Sequence, residues 1–152
     1  MREVALDTNV FLLFLVGQVN PNQISRNKLL QKFVPSDYEL LCRLIAPFDR
    51  IVVTPGCLTE TTNLLDHNRL SREAYFPRLK ALLHMPDAVR EEYVPSSRAT
   101  EQPSFMWLGV TDATYVDIAR QGIPVITADF DLYLQVSSYC EQSVNFDALR
   151  LN

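Results

Sequence analysis

A helix with no polar face cannot lie on a protein surface, and one segment of this chain has that character. Residues 10–16 read VFLLFLV, with Asp7-Thr8-Asn9 separating the run from Val4-Ala5-Leu6. The pattern predicts a short buried strand, 2–6, running straight into a helix over 8–17, with Asp7 or Thr8 as its N-cap and Gly17 closing it. Such a helix must be covered, either by neighbouring helices of its own chain or by a second copy in a homodimer. No leader is expected, because Glu3 and Asp7 stand where a signal peptide carries positive charge and no A-x-A site follows. The run is also too short to span a bilayer.

The remaining chain alternates in the same way. Residues 18–35 read as a loop and a short helix, and Ser36-x-x-Glu39 predicts a capping box for a helix reaching Phe48. RIVVT (50–54) is a second buried strand, and Pro55 suits the first turn of the helix that carries Glu60. Ser71 is the expected cap of a helix over 71–84, and 86–103 is expected to be irregular. Thr111 or Gly109 precedes a helix at 112–121 that Gly122 ends. VIT (125–127) is a third strand, followed by Asp129-Phe130-Asp131 and a short helix, and SVNF (143–146) is the last. Strands alternating with helices predict an α/β fold: three layers, with a central parallel sheet covered by helices on both faces. At 152 residues and 47% hydrophobic content, one domain over 1–152 is expected.

The net charge of −4 argues against a broad basic surface for nucleic acid. Three cysteines and two histidines, with no C-x-x-C pair, signal neither a disulfide framework nor a zinc site, which fits a reducing cytoplasm. Arg26, Lys28 and Lys32, and then Arg69, Arg72, Arg78 and Lys80, are candidate phosphate contacts or plain solvated faces. Tyr93, Phe105 and Trp107 can stack on unpaired bases, although burial in the core is the commoner use of such residues.

In open parallel sheets, ligands bind outside the carboxyl ends of the strands. Asp7 follows the first strand, Asp129 follows the third, Glu60 lies early in the helix after the second, and Asp112 opens its own helix. Singly, each has an ordinary structural use as a cap, a turn residue or a solvated acid. Together they would repel one another, and a hard cation resolves that conflict. Mg²⁺ or Mn²⁺ prefers such oxygen ligands, and can acidify a bound water and stabilise phosphoryl charge. Phosphodiester hydrolysis is the expected reaction.

The motifs LDTNV (6–10), Glu60 in TPGCLTETTNLL, TDATYVDIA (111–119) and VITADFDLY (125–133) resemble those of the PIN domains, metal-dependent nucleases with a Rossmann-like sheet. The resemblance spans almost the whole chain. It implies that Asp7, Glu60, Asp112 and Asp129 are the catalytic acids, that Asp7, Asp112 and Asp129 hold Mg²⁺ or Mn²⁺, and that Thr8, Asn9 and Thr127 support them. Asp131 rivals Asp129 for the fourth place, and Asp117 is expected to be solvated or to stand one step behind the acids. The implied activity is that of an endoribonuclease using a metal-activated water on RNA. It is either the toxin of a toxin–antitoxin pair, blocked by a small antitoxin protein, or a cellular RNA-processing nuclease. Residues 18–49 and 86–108 are longer than the matching connections of compact toxin-type members. Two rivals remain: a haloacid-dehalogenase-type phosphatase, which needs an acid where Asn9 stands, and a PIN-like interaction module without activity.

Overall fold

The computed structural model describes all of residues 1–152. Five strands, β1 (Glu3–Leu6), β2 (Arg50–Val53), β3 (Val89–Glu91), β4 (Val125–Thr127) and β5 (Val144–Asn145), form one all-parallel sheet in the order β3-β2-β1-β4-β5. Val4, Ala5, Leu6 and all of Val125–Thr127 are buried, as strands covered on both faces require. At the ends of the strands opposite the site described below, Glu3 pairs in register with Arg50. Its carboxylate accepts from Arg50 at 2.8 Å and Arg90 at 2.7 Å. These bonds, the one from Arg90 foremost, hold Glu3 below the usual carboxylate range against the cost of its burial.

Eight helices surround the sheet: α1 (Thr8–Val19), α2 (Pro35–Ile45), α3 (Pro55–Leu65), α4 (Arg69–Leu83), α5 (Ser96–Ala99), α6 (Phe105–Arg120), α7 (Phe130–Tyr139) and α8 (Phe146–Arg150). The chain leaves β1 outward to β2 and β3, then returns across the sheet to β4 and β5. Right-handed crossovers therefore put α1–α4 on one face and α5–α7 on the other, and the helices pack together in those two groups. The fold is thus a three-layer, Rossmann-like α/β arrangement. The direction of winding reverses between β1 and β4, which opens a crevice at their carboxyl ends.

Helix α1 is the reason for the layering. Every residue from Val10 to Gly17 is buried, because α2, α3 and α4 pack over it. Its missing polar stripe is explained within one chain, so it presents no face for a homodimer. Gly17 does not close this helix, which continues to Val19. Instead, a Cβ at Gly17 would meet the Tyr38 ring at 2.2 Å: the glycine is there so that α2 can lie against α1.

Several other local expectations change. Helix α2 begins at Pro35, where Asp37 rather than Glu39 returns to bond the Val34 N–H at 2.9 Å, and it ends at Ile45. Asn68, not Ser71, caps α4, accepting the Ser71 N–H at 2.8 Å. The stretch 86–103 contains β3 and α5. Of the two readings of Asp117, the solvated one is excluded: it is 8% exposed and accepts from Arg98 Nε and Nη2, at 3.1 and 2.9 Å, and it does not line the pocket described below. Tyr93 and Trp107, expected in the core, are 72% and 60% exposed. The three cysteines are free, and no helix is long and apolar enough to cross a membrane.

Candidate metal centre

The site is assembled from the ends of β1 and β4 and the starts of three helices. β1 stops at Asp7 because this residue turns the chain into α1: its Oδ1 accepts the Val10 N–H at 3.1 Å as N-cap. The cap is 4% exposed, so its carboxylate lies at the floor of the crevice. Its other oxygen accepts the hydroxyl proton of the buried Thr127. Thr127 in turn accepts the Asp129 backbone N–H at 2.9 Å. Asp129 caps α7 through Oδ1, which takes the Asp131 and Leu132 N–H groups at 2.9 and 3.2 Å. The cap reading of Asp7 is therefore correct, Asp129 is a cap where a turn residue is expected, and Asp112, inside α6 rather than at its start, caps nothing.

Glu60 arrives from α3, which Thr54 caps and Pro55 opens. Two threonines hold it from opposite elements: Thr8 donates to Oε2 and Thr111 to Oε1, each at 2.9 Å. The space for Thr111 exists because residue 56 is glycine; a Cβ there would lie 2.9 Å from the Thr111 hydroxyl. Asp112 follows a break in α6 at Gly109, whose φ of 83° and ψ of 178° belong to a region open essentially to glycine alone. The break turns the last part of the helix, from residue 110 on, toward the crevice. Tyr115, one turn further, donates to the Leu6 carbonyl at 2.5 Å and fastens α6 to the end of β1.

Asp7, Glu60, Asp112 and Asp129 together line one pocket of about 360 Å³, with Thr8, Asn9 and Thr111 beside them and Leu64 and Leu108 on its walls. Asp131 is exposed and does not line it. Burial pushes Asp7 up to about 6, against the hydrogen bonds from Thr127 and Val10, and the Asp129 charge adds to the rise. Burial likewise pushes Asp112 up to about 7, reinforced by the charges of Asp7, Asp129 and Glu60. No protein group donates to the Asp112 carboxylate. The sequence placed all four acids here; it did not show that Thr111 grips Glu60, because a threonine before a helical acid reads equally well as a cap.

No lysine or arginine lines this pocket. Lys32 is the one cation whose charge lowers Asp7, and it is 3.4 Å from Asp147. Arg69 and Arg72 pair with Glu73 and Asp66, and Arg26 and Lys28 line a separate groove.

The donor set suits a hard dication: carboxylate oxygens and an amide, with no thiolate or imidazole at the pocket. No group of three or more aspartate, glutamate, histidine or cysteine side chains is arranged so as to hold a metal ion by itself. Comparison with family models, curated proteins and solved structures finds no match for the chain.

Proposed function

We propose that this protein is a PIN-type, Mg²⁺- or Mn²⁺-dependent endoribonuclease of a reducing cytoplasm. The reading is carried by one observation: Asp112 is a half-buried carboxylate without a donor, facing three other acids in a pocket with no lysine or arginine. A structural acid takes a cap or a salt bridge, as Asp37 and Asp117 do here. Asp112 has neither, and a cation is what its surroundings lack.

Asp7, Asp112 and Asp129 would hold the ion, with Glu60 beside it. When bound, the ion supplies positive charge for the phosphoryl oxygens and makes water acidic enough to attack. Thr127 keeps Asp7 directed into the crevice, and Thr8 and Thr111 fix both oxygens of Glu60, which can then accept a proton from the attacking water. RNA is the proposed substrate; an antitoxin partner would belong to a toxin of this type, and a processing nuclease would act without one.

The test is cleavage of structured and unstructured RNAs by the wild type and by Asp112→Asn, with Mg²⁺, Mn²⁺ or EDTA. Cutting that needs the metal and falls by at least about a hundredfold in the variant, the scale of losing one group acting on the reacting water, supports the reading. A folded wild type that binds neither ion by calorimetry and cuts none of the RNAs overturns it in favour of an interaction module.

A further inference from the structure

Beside the acidic pocket, the surface is apolar in a way that packing does not explain. Met106 and Trp107 are 83% and 60% exposed just before the Gly109 break, and Val110 is 42% exposed just after it. On α7, Phe130 and Leu134 are 59% and 49% exposed. They lie one helical turn apart on the same side. Helices α6 and α7 pack against each other, so these residues belong to neighbouring elements. The chain ties both groups to the pocket: Leu108, which follows Trp107, Val110 itself, and Asp129, which precedes Phe130, all line it.

A nucleic acid entering this pocket meets four carboxylates and no lysine or arginine, so the protein's own cations add little to its affinity there. Flat aromatic faces can add to it, since stacking acts on the bases and carries no charge requirement. Resting on the ribonuclease reading above, we propose that Trp107 and Phe130 are substrate-positioning residues, stacking the unpaired bases on either side of the phosphate held at the acidic pocket. A duplex keeps its bases stacked inside and offers these rings nothing.

Trp107 is the only tryptophan in the chain, so its fluorescence reports the contact directly. The intact protein is titrated in Ca²⁺, a hard cation offered to hold the site, with a short unstructured RNA and with the same sequence as a blunt duplex. Cleavage in Mg²⁺ or Mn²⁺ is measured in parallel. The expected result is quenching by the single strand and little by the duplex. Trp107→Leu, which keeps apolar bulk but loses the ring, weakens binding of labelled single strand about tenfold and raises KM with kcat nearly unchanged. Trp107→Phe restores most of it, and Phe130→Leu repeats the loss. Affinity falls only about three- to sevenfold between about 50 and about 200 mM salt, as for one or two phosphate contacts.

Cleavage without quenching overturns this proposal and leaves the nuclease reading standing. Quenching without cleavage overturns the nuclease reading and with it the positioning role, leaving Trp107 as a single-strand contact only, and absence of both overturns the two together. Equal quenching by strand and duplex, or full affinity in Trp107→Leu, also overturns it. So does a blue shift of Trp107 that grows with protein concentration alone, because a second copy then covers the patch.

Discussion

Thr127, at the end of β4, donates its hydroxyl proton to the buried carboxylate of Asp7 at the end of β1. This bond spans the line where the sheet reverses its winding, and it favours the charged form of Asp7 against burial. Thr127→Val keeps the shape and removes the donor, so the loss is expected to be about 2 kcal/mol, in the range for a hydrogen bond to a charged group. For a chain of this size that lowers Tm by roughly 4–8 °C. The loss should be greater at about pH 8 than at about pH 5, where Asp7 is already largely protonated, and Thr127→Ser should recover most of it. Thermal melts of the three proteins in EDTA measure this. An equal loss at both pH values would mean that the hydroxyl serves packing alone.

The raised pKa values of Asp7, about 6, and Asp112, about 7, imply an unusual acid–base profile. Between the ordinary carboxylate value and these, the folded protein binds more protons than the unfolded chain, so metal-free stability falls as pH rises from about 4 to about 8. For the fully buried Asp7 the effect is roughly 3 kcal/mol, since each unit is about 1.4 kcal/mol. Glu3 and Asp147 are held low, and their contribution disappears only below that window, in acid. Mg²⁺ or Mn²⁺ should raise Tm more at high pH than at low pH, because bound ions require the carboxylates deprotonated. Asp112→Asn should flatten the metal-free slope and shrink the metal effect. Melting curves across pH with EDTA or metal check both, and a stability that climbs steadily through this window would exclude the arrangement.

The grip of Thr8 and Thr111 on Glu60 predicts a functional effect with little cost in stability. Both donors are surface-accessible and serve one exposed carboxylate. Thr8→Val and Thr111→Val should each lower the cleavage rate about tenfold, or about 1.4 kcal/mol, while Tm changes little. The double variant should lose less than the product of the two if the threonines act as one clamp. Gly56→Ala, by crowding the Thr111 hydroxyl at 2.9 Å, should mimic Thr111→Val. Rates and melts on this set of four variants decide the matter.

Much of this geometry was legible from local chemistry. β1, β2 and β4 are short apolar runs, and Asp7, Pro55 and Gly122 mark helix ends as their chemistry dictates. The four acids could be placed because strand ends in a parallel sheet share one edge. What escaped depends on distant partners. β3, Val89–Glu91, alternates weakly and carries Arg90, whose charge is neutralised by Glu3 from 87 residues away. Gly17 reads as a terminator until Tyr38 is known to lie on it, and Trp107 reads as core although it is 60% exposed, because no local pattern marks it as outward. Asp117 reads as solvated or as standing behind the acids because nothing local announces Arg98.

Two glycines separate backbone strain from its functional consequence. Gly109 and Gly122 both have positive φ, 83° and 86°, and at both an added Cβ would meet nothing within 4 Å. Substitution by alanine therefore acts through backbone conformation alone, at about 1–3 kcal/mol for either. Gly122 only ends α6, whereas Gly109 directs the turn bearing Thr111 and Asp112 into the pocket. Both alanine variants should lose comparable stability. Only Gly109→Ala should also lose metal affinity and cleavage, because straightening the helix swings Thr111 from Glu60 and Asp112 from the other acids. Calorimetric titration with Mn²⁺, made below the melting point of each variant, distinguishes the two. If Gly122→Ala loses metal affinity as severely, the break at Gly109 has no special part in forming the site, and general loosening of α6 explains both.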